Sequence, residues 1–417
     1  MKLMKNLIIL TVCLLFFTKC DTNLTGPVDP KGELPRELTA AEKMLVEADG
    51  SFSYDIFRRT VAYDSDEENI FISPLSISMA LAMTLNGAEE QTFDEMRETL
   101  YLSGMELDEI NEAFQTLTEL LITVDPEVTL KIANSIWYRD GFPVEAEFLE
   151  RVREFFDARI EGLDFSDPAS VDIINGWVKN NTEGLIEEIV EEIPDNMVMY
   201  LINALYFKGD WLRQFDPDDT SKADFRLENG ETVEVDMMHQ KGNFAFHHSD
   251  EVQLIELPYG DSLYSMTVLM PGDPEMPLDQ FVEEKVSAGN LAEWRSSLTA
   301  GSREVIVQLP KFELEYELEY NDILEAMGMA TAFNSGAANF NGIADVSPLN
   351  LYISEVKHKT FIRVDEEGTE AAAVTSVGIG ITSAPPSFLV NRPFVFIIHE
   401  RESGVNLFMG KVKNPAL

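Results

Sequence analysis

The sequence predicts an α+β fold with large antiparallel or mixed sheets. Helical periodicity dominates the early part of the chain, strand-like alternation dominates the later part, and nothing from about Ala41 onward lapses into low complexity. Helices gathered first and strands gathered later give that class. No internal repeat of the length used by solenoids is present.

The elements follow in order. Ser73 is a natural N-cap, Pro74 suits the first helical position and Gly87 supplies a stop. Between them Leu75, Ile77, Met79, Ala80, Leu81, Met83 and Leu85 leave no polar face, so this helix is expected to be buried all round. Phe93, Met96 and Leu100 make a shorter helix. Leu107, Ile110, Phe114, Leu117 and Leu121 form the one-sided stripe of a surface helix. From Val128 to Tyr138 residues alternate as in a strand. Met199–Lys208, Tyr264–Met270, Glu304–Leu309, Phe312–Leu318, Lys359–Val364, Phe388–Val390, Val395–His399 and Leu407–Lys411 read as further strands.

The N-terminus is organised differently. Lys2 and Lys5 precede an apolar run from Leu7 to Phe17, too short to span a bilayer and the right length for a signal-peptide core. Phe17-Thr18-Lys19-Cys20 resembles a lipobox, although Lys19 stands where a small residue is usual. The expected organisation is a signal peptide over 1–19, then a lipidated Cys20 and flexible tether over 20–43. Gly26, Pro27, Pro30, Gly32 and Pro35 give the tether its character. This makes the protein extracytoplasmic, lipid-anchored to the cell envelope or secreted. The only other cysteine is Cys13, so the folded part has neither a disulfide framework nor a thiolate metal site.

With 31 basic against 74 acidic residues the net charge is −43, which repels nucleic acid and anionic membrane faces. Membrane contact is therefore expected only through a lipid anchor. A polyanionic activator would need a basic patch that this balance disfavours, and no cofactor or metal is expected.

Enzyme readings find no support. The five histidines, His239, His247, His248, His358 and His399, form no metalloprotease motif, and no nucleophile elbow, phosphate-binding loop or dinucleotide fingerprint occurs. Neighbours on a strand point to opposite faces, so His247 and His248 are expected to be surface histidines rather than a metal pair. Glu187-Glu188 and Glu191-Glu192 read as a solvated face or loop.

One stretch does not fit an ordinary domain. Residues 366–386 are mostly small, yet Val374, Val377, Ile379 and Ile381 favour strand structure. The segment is long for a loop inside a compact domain. It reads as exposed but strand-competent.

Glu366-Glu367-Gly368-Thr369-Glu370-Ala371-Ala372-Ala373 resembles the proximal hinge of an inhibitory serpin's reactive loop. Asn69 to Ile77 resembles the entry to the serpin shutter helix, and Asn134-Ser135-Ile136-Trp137 the central-sheet signature. Asn203 to Trp211 resembles the strand leading to the breach tryptophan. Asn391-Arg392-Pro393-Phe394 and Phe408 to Val412 resemble the C-terminal signatures. The resemblance covers 44–417 and implies three β-sheets, about nine surrounding helices and an exposed reactive loop at about 366–387.

It also implies a mechanism. A protease cleaves the loop, becomes acylated, and is carried away as the loop enters the central sheet as an extra strand. Thr369, Ala371, Ala373, Thr375 and Val377 share one parity and carry no charge to bury, while Glu370 lies on the other. Family spacing counted from Glu366, and back from Arg392, places the reactive bond at Thr382–Ser383, with Ile379 and Ile381 as alternative cleavage sites. A small uncharged Thr382 suits elastase-like or subtilisin-like serine proteases, with cysteine proteases as a second class. Ser73, Ser76, Asn203 and His358 align with the shutter and Trp211 with the breach. The expected state is monomeric. The competing reading is a non-inhibitory serpin, a carrier, chaperone or surface-binding protein. Such relatives usually carry bulky, charged or proline residues in the hinge.

Overall fold

The computed structural model describes residues 32–298, 304–369 and 386–417. The folded chain begins earlier than the boundary expected at residue 44. Gly32 packs on the Leu263 side chain, and Leu34 and Leu38 lie against the core. Thr39 then caps helix α1 (Ala40–Tyr63) through a reciprocal pair. Its hydroxyl accepts from the Glu42 amide at 3.1 Å and its own amide donates to the Glu42 carboxylate at 2.7 Å. Arg36 donates to the same carboxylate at 2.7 Å. Within the tether expected over 20–43, the described residues 32–43 thus pack on the body through the half-buried Leu34 and Leu38 and the start of α1.

Helix α2 (Pro74–Leu85) starts as expected, with Ser73 as N-cap, and buries every residue except the half-buried Ala80. Helices α3 (Glu90–Thr99), α4 (Leu107–Thr123), α5 (Ala146–Phe156), α6 (Ala169–Asn181), α7 (Leu278–Lys285) and α8 (Ala288–Ser296) follow. Two single turns, α9 (Asn321–Leu324) and α10 (Ala330–Phe333), complete the α-helices among the described residues. On α4 the stripe of Ile110, Phe114, Leu117 and Leu121 faces the core as its spacing requires. None of these helices is long and apolar enough to cross a membrane.

Strands are numbered in chain order. One antiparallel sheet runs β1 (Asn69–Ile72), β16 (Asn406–Val412), β15 (Phe394–Glu400), β9 (Tyr264–Pro271), β8 (Val252–Tyr259) and β7 (Ala245–His248). A second runs β14 (Ser387–Leu389), β10 (Glu304–Pro310), β6 (Thr232–Asn243) and β5 (Ser221–Arg226). The central layer holds β13 (Gly368–Thr369), β4 (Met199–Asp210), β2 (Val128–Arg139) and β3 (Arg159–Leu163). Beside them stand β11 (Phe312–Glu319) and β12 (Lys357–Val364), paired with each other along their whole length.

Four hydrogen-bonded sheets thus occur among the described residues where three were expected. The central sheet is divided. β4 gives one edge to β2 and β12 gives one edge to β11, and no described pair joins β4 to β12. A cleft of about 600 Å³ lies between their lower halves, floored by α2 and bordered by Met199–Leu205 and residues 349–360.

Along β2 the alternation holds only in part. Ser135 and Trp137, on the face opposite Ile136, are also buried, because α6 covers that face and sets Trp177 edge-on to Trp137 at 6.0 Å. His247 and His248 fall on β7 at a sheet edge, His248 exposed, and Glu187, Glu188, Glu191 and Glu192 lie exposed in the chain after α6.

Candidate functional site at the hinge and the divided sheet

The chain leaves β12 through a tight turn in which the Asp365 amide donates to Gly368 O at 3.0 Å. Trp211 holds this turn. Its backbone amide donates to Glu367 O at 2.8 Å and its indole nitrogen donates to Asp365 O at 2.9 Å. The Phe215 amide donates to Glu366 O at 2.8 Å. Sequence at the end of β4 thereby fixes the path of a segment more than a hundred residues later.

Glu366 is buried, and its carboxylate accepts from Lys311 Nζ at 2.7 Å and Thr220 Oγ1 at 2.8 Å. Burial disfavours its charge, but these donors outweigh burial and hold the carboxyl below its ordinary range. Glu367 is the reverse case. Burial first, then the negative neighbours Asp365, Asp210 and Glu366, push its carboxyl up.

Gly368 and Thr369 form β13, antiparallel to β4 in the register Gly368↔Asp210 and Thr369↔Gly209. Gly368 has φ +152°, and an added Cβ would lie 2.2 Å from Gly209 O. Thr369 is buried, its Oγ1 3.0 Å from the Tyr259 hydroxyl. Tyr259 in turn stacks on Trp211, with ring centroids 4.4 Å apart and planes 13° from parallel. The expected breach residue and the first hinge residues are thus brought together. Glu370, Ala371, Ala372, Ala373, Ile379, Ile381, Thr382, Ser383 and Cys20 lie outside the described residues.

Along the cleft wall the four expected shutter residues gather around the start of α2. The Ser73 amide donates to His358 Nε2 at 2.9 Å, and its hydroxyl donates to Leu407 O at 2.8 Å. Ser76 reaches Asn203 O at 3.5 Å, and Asn203 Nδ2 donates to Asn134 Oδ1 at 2.8 Å. Among the described residues Asn203 and His358 share no hydrogen bond, and Asn203 Oδ1 is buried without a partner. Among the described residues, β12 and β4 each reach the start of α2 here, through His358 to Ser73 and Asn203 O to Ser76. Burial lowers His358 to about 3, so the imidazole is neutral and can accept from Ser73.

Several members escape a reading of the sequence. Tyr259 at the end of β8, Lys311 between β10 and β11, and Thr220 just before β5 support the hinge from distant parts of the chain. Asn134 belongs to a recognisable motif, but its role as the partner of Asn203 depends on the register between β2 and β4.

The site thus combines a divided central sheet, a hinge paired with β4 and a polar cluster at the start of α2. The family model described as Serpin (serine protease inhibitor) matches residues 47–415, and the chain belongs to the serpin family. Human neuroserpin is 35% identical over 384 residues, 88% of this chain and 91% of that protein. A serpin-like protein of Thermococcus kodakarensis is 33% identical over 437 aligned residues, 99% of each. Among solved structures, the thermophilic serpin tengpin in its native state has TM-score 0.81 and 32% identity, covering 92% of this chain and 97% of its own. Human thyroxine-binding globulin with bound thyroxine has TM-score 0.81 and 29% identity, covering 91% and 100%. The family is one of protease inhibitors rather than catalysts, and its scaffold also serves ligand carriage.

Proposed function

We propose that this serpin is an irreversible suicide-substrate inhibitor of serine proteases, elastase-like or subtilisin-like, with cysteine proteases as a second class. The observation that carries the reading is β13: the hinge pairs with β4 in antiparallel register, and uncharged Thr369 is buried against Tyr259. The next hinge residues of that parity, Ala371 and Ala373, are small and uncharged, so continued entry buries no charge. A protease serine attacks the Thr382 carbonyl and its Oγ forms an ester. The Thr382–Ser383 bond breaks, and the serine's proton passes to the departing Ser383 amine. The loop then enters the central sheet. About fourteen residues at about 3.3 Å each displace its end by about 45 Å.

The buried, unpartnered Asn203 Oδ1 beside the cleft supports a site that gains hydrogen bonds when the sheet reorganises. Cys20 is the proposed lipidation site, giving an extracytoplasmic, envelope-anchored protein. A surface-binding or carrier role is the second reading, favoured by the likeness to thyroxine-binding globulin.

Mixing the mature protein with pancreatic elastase and subtilisin tests the proposal on denaturing gels, with mass spectrometry mapping the cut. A band surviving denaturation at the summed mass, with release of a peptide beginning at Ser383, is expected. Thr369→Arg should convert that outcome to plain cleavage. Cleavage of the wild type without such a band, across a wide protease panel, would leave the carrier reading.

A further inference from the structure

We infer that the tether leaves the body at the pole that carries the reactive loop, so that an anchored molecule presents this pole to the lipid surface and loop insertion moves the captured protease away from it. The inference rests on the proposed lipid anchor and inhibitory mechanism.

The geometry is a short chain of contacts. Gly32, the first described residue, is so close to Leu263 that an added Cβ would lie 2.5 Å from its Cγ. Leu263 sits in the turn joining β8 to β9, whose ends are paired as Tyr259↔Tyr264. In that turn the Gly260 amide donates to Asp210 O at 2.9 Å, and Asp210 faces Gly368 across the β4–β13 pair. Tyr259 itself touches Thr369. Tether exit and hinge are thus on opposite sides of one hairpin turn.

The exit is fixed rather than frayed. Arg36 donates to Thr116 O at 3.2 Å as well as to Glu42, and Leu34 and Leu38 pack on the core. Cleft-lining residues around Asn350 mark the opposite pole, at the Met199 end of β4. Twelve peptide steps from Cys20 to Gly32 span at most about 40 Å. With a net charge of −43 the body has no electrostatic attraction to an anionic leaflet, so the tether sets the separation. Before cleavage, a protease docked on the loop lies near the membrane. Afterwards it lies near the Asn350 pole, with the inhibitor body between it and the lipid.

The mature chain from Cys20 has one cysteine, so it can be coupled through that thiol to a maleimide lipid in phosphatidylcholine vesicles carrying an acceptor dye. A donor dye is attached at p-azidophenylalanine replacing exposed Asp219, beside the hinge, or exposed Asn350. Energy transfer to the membrane should be greater from position 219, on the Gly32 side of the body, than from position 350. Equal transfer, or more from position 350, overturns the geometry. Chemical coupling keeps this result independent of cellular lipidation and of inhibition, which the gels test separately. If wild-type protein from cells stays in the aqueous phase on detergent partitioning, the membrane consequence is overturned even where the geometry stands.

Discussion

The Ser73 amide donates to Nε2 of His358 at 2.9 Å, tying the cap of α2 to the central strand β12 across 285 residues. The Ser73 hydroxyl accepts from the Ser76 amide at 3.2 Å, so the side chain of this residue caps the helix while its backbone amide holds β12. The bond exists only while the imidazole is neutral.

Acid should therefore loosen the shutter. Burial lowers His358 from 6.5 to about 3, so an unfolded or opened chain binds a proton that the closed one refuses. The stability involved is fully present above about pH 6.5 and is lost as pH falls toward 3, on the order of a few kcal/mol in total. Spontaneous loss of inhibitory activity should accelerate as pH is lowered from 7 to 4. His358→Gln, which keeps an acceptor without a titrating ring, should flatten this profile; an unchanged profile would dissociate His358 from the barrier.

Asp49 works in the opposite sense. Its carboxyl is buried on α1, accepts from the Ser78 hydroxyl of α2 at 3.0 Å and leaves Oδ2 unpartnered among the described residues. Burial pushes it up to about 7 against the opposing Ser78 and Ser53 hydroxyls. Stability from this group is complete below about pH 4 and declines as pH rises to 7. Asp49→Asn should raise the melting temperature by several degrees at pH 8 and change it little at pH 4, as differential scanning calorimetry would register. Equal shifts at both pH values would rule out titration as the cause.

Gly368→Ala tests the hinge pairing. The new methyl would meet backbone, 2.2 Å from Gly209 O and 2.7 Å from Asp210 Cα, at φ +152°. Neither obstacle can rotate away, and strain of about 1–3 kcal/mol should expel β13 from β4. More inhibitor should be consumed per protease trapped, with the excess recovered as cleaved chain. A stoichiometry equal to wild type would mean that the pairing does not contribute to trapping.

Much of the fold was legible because strand alternation and helix caps are local signals. Tyr264–Met270 was expected and Tyr264–Pro271 is observed; Ser73 and Pro74 open α2 as read. Alternation says which face a residue takes, but not which strand lies alongside, so the division between β4 and β12 had no signature. The hinge was recognisable from its run of small residues. Its supports were not, since Lys311 lies 55 and Tyr259 110 residues from their partners. Gly and Pro among residues 21–37 concealed the packing of Leu34 and Leu38, because composition reports average polarity and not the destination of single side chains.

Trp211 has one more property. Of the four tryptophans, Trp137 of β2 meets Trp177 of α6 edge-on, and Trp294 stacks on Phe281 at 6.1 Å. Trp211 alone lies against the hinge, its ring face on Tyr259 and its indole N–H on Asp365 O. In the proposed insertion, passage of a strand past this ring would alter both partners of the chromophore. Trp211 would then serve as an intrinsic optical reporter beside the hinge, so the proposed event could be timed by fluorescence in unlabelled material.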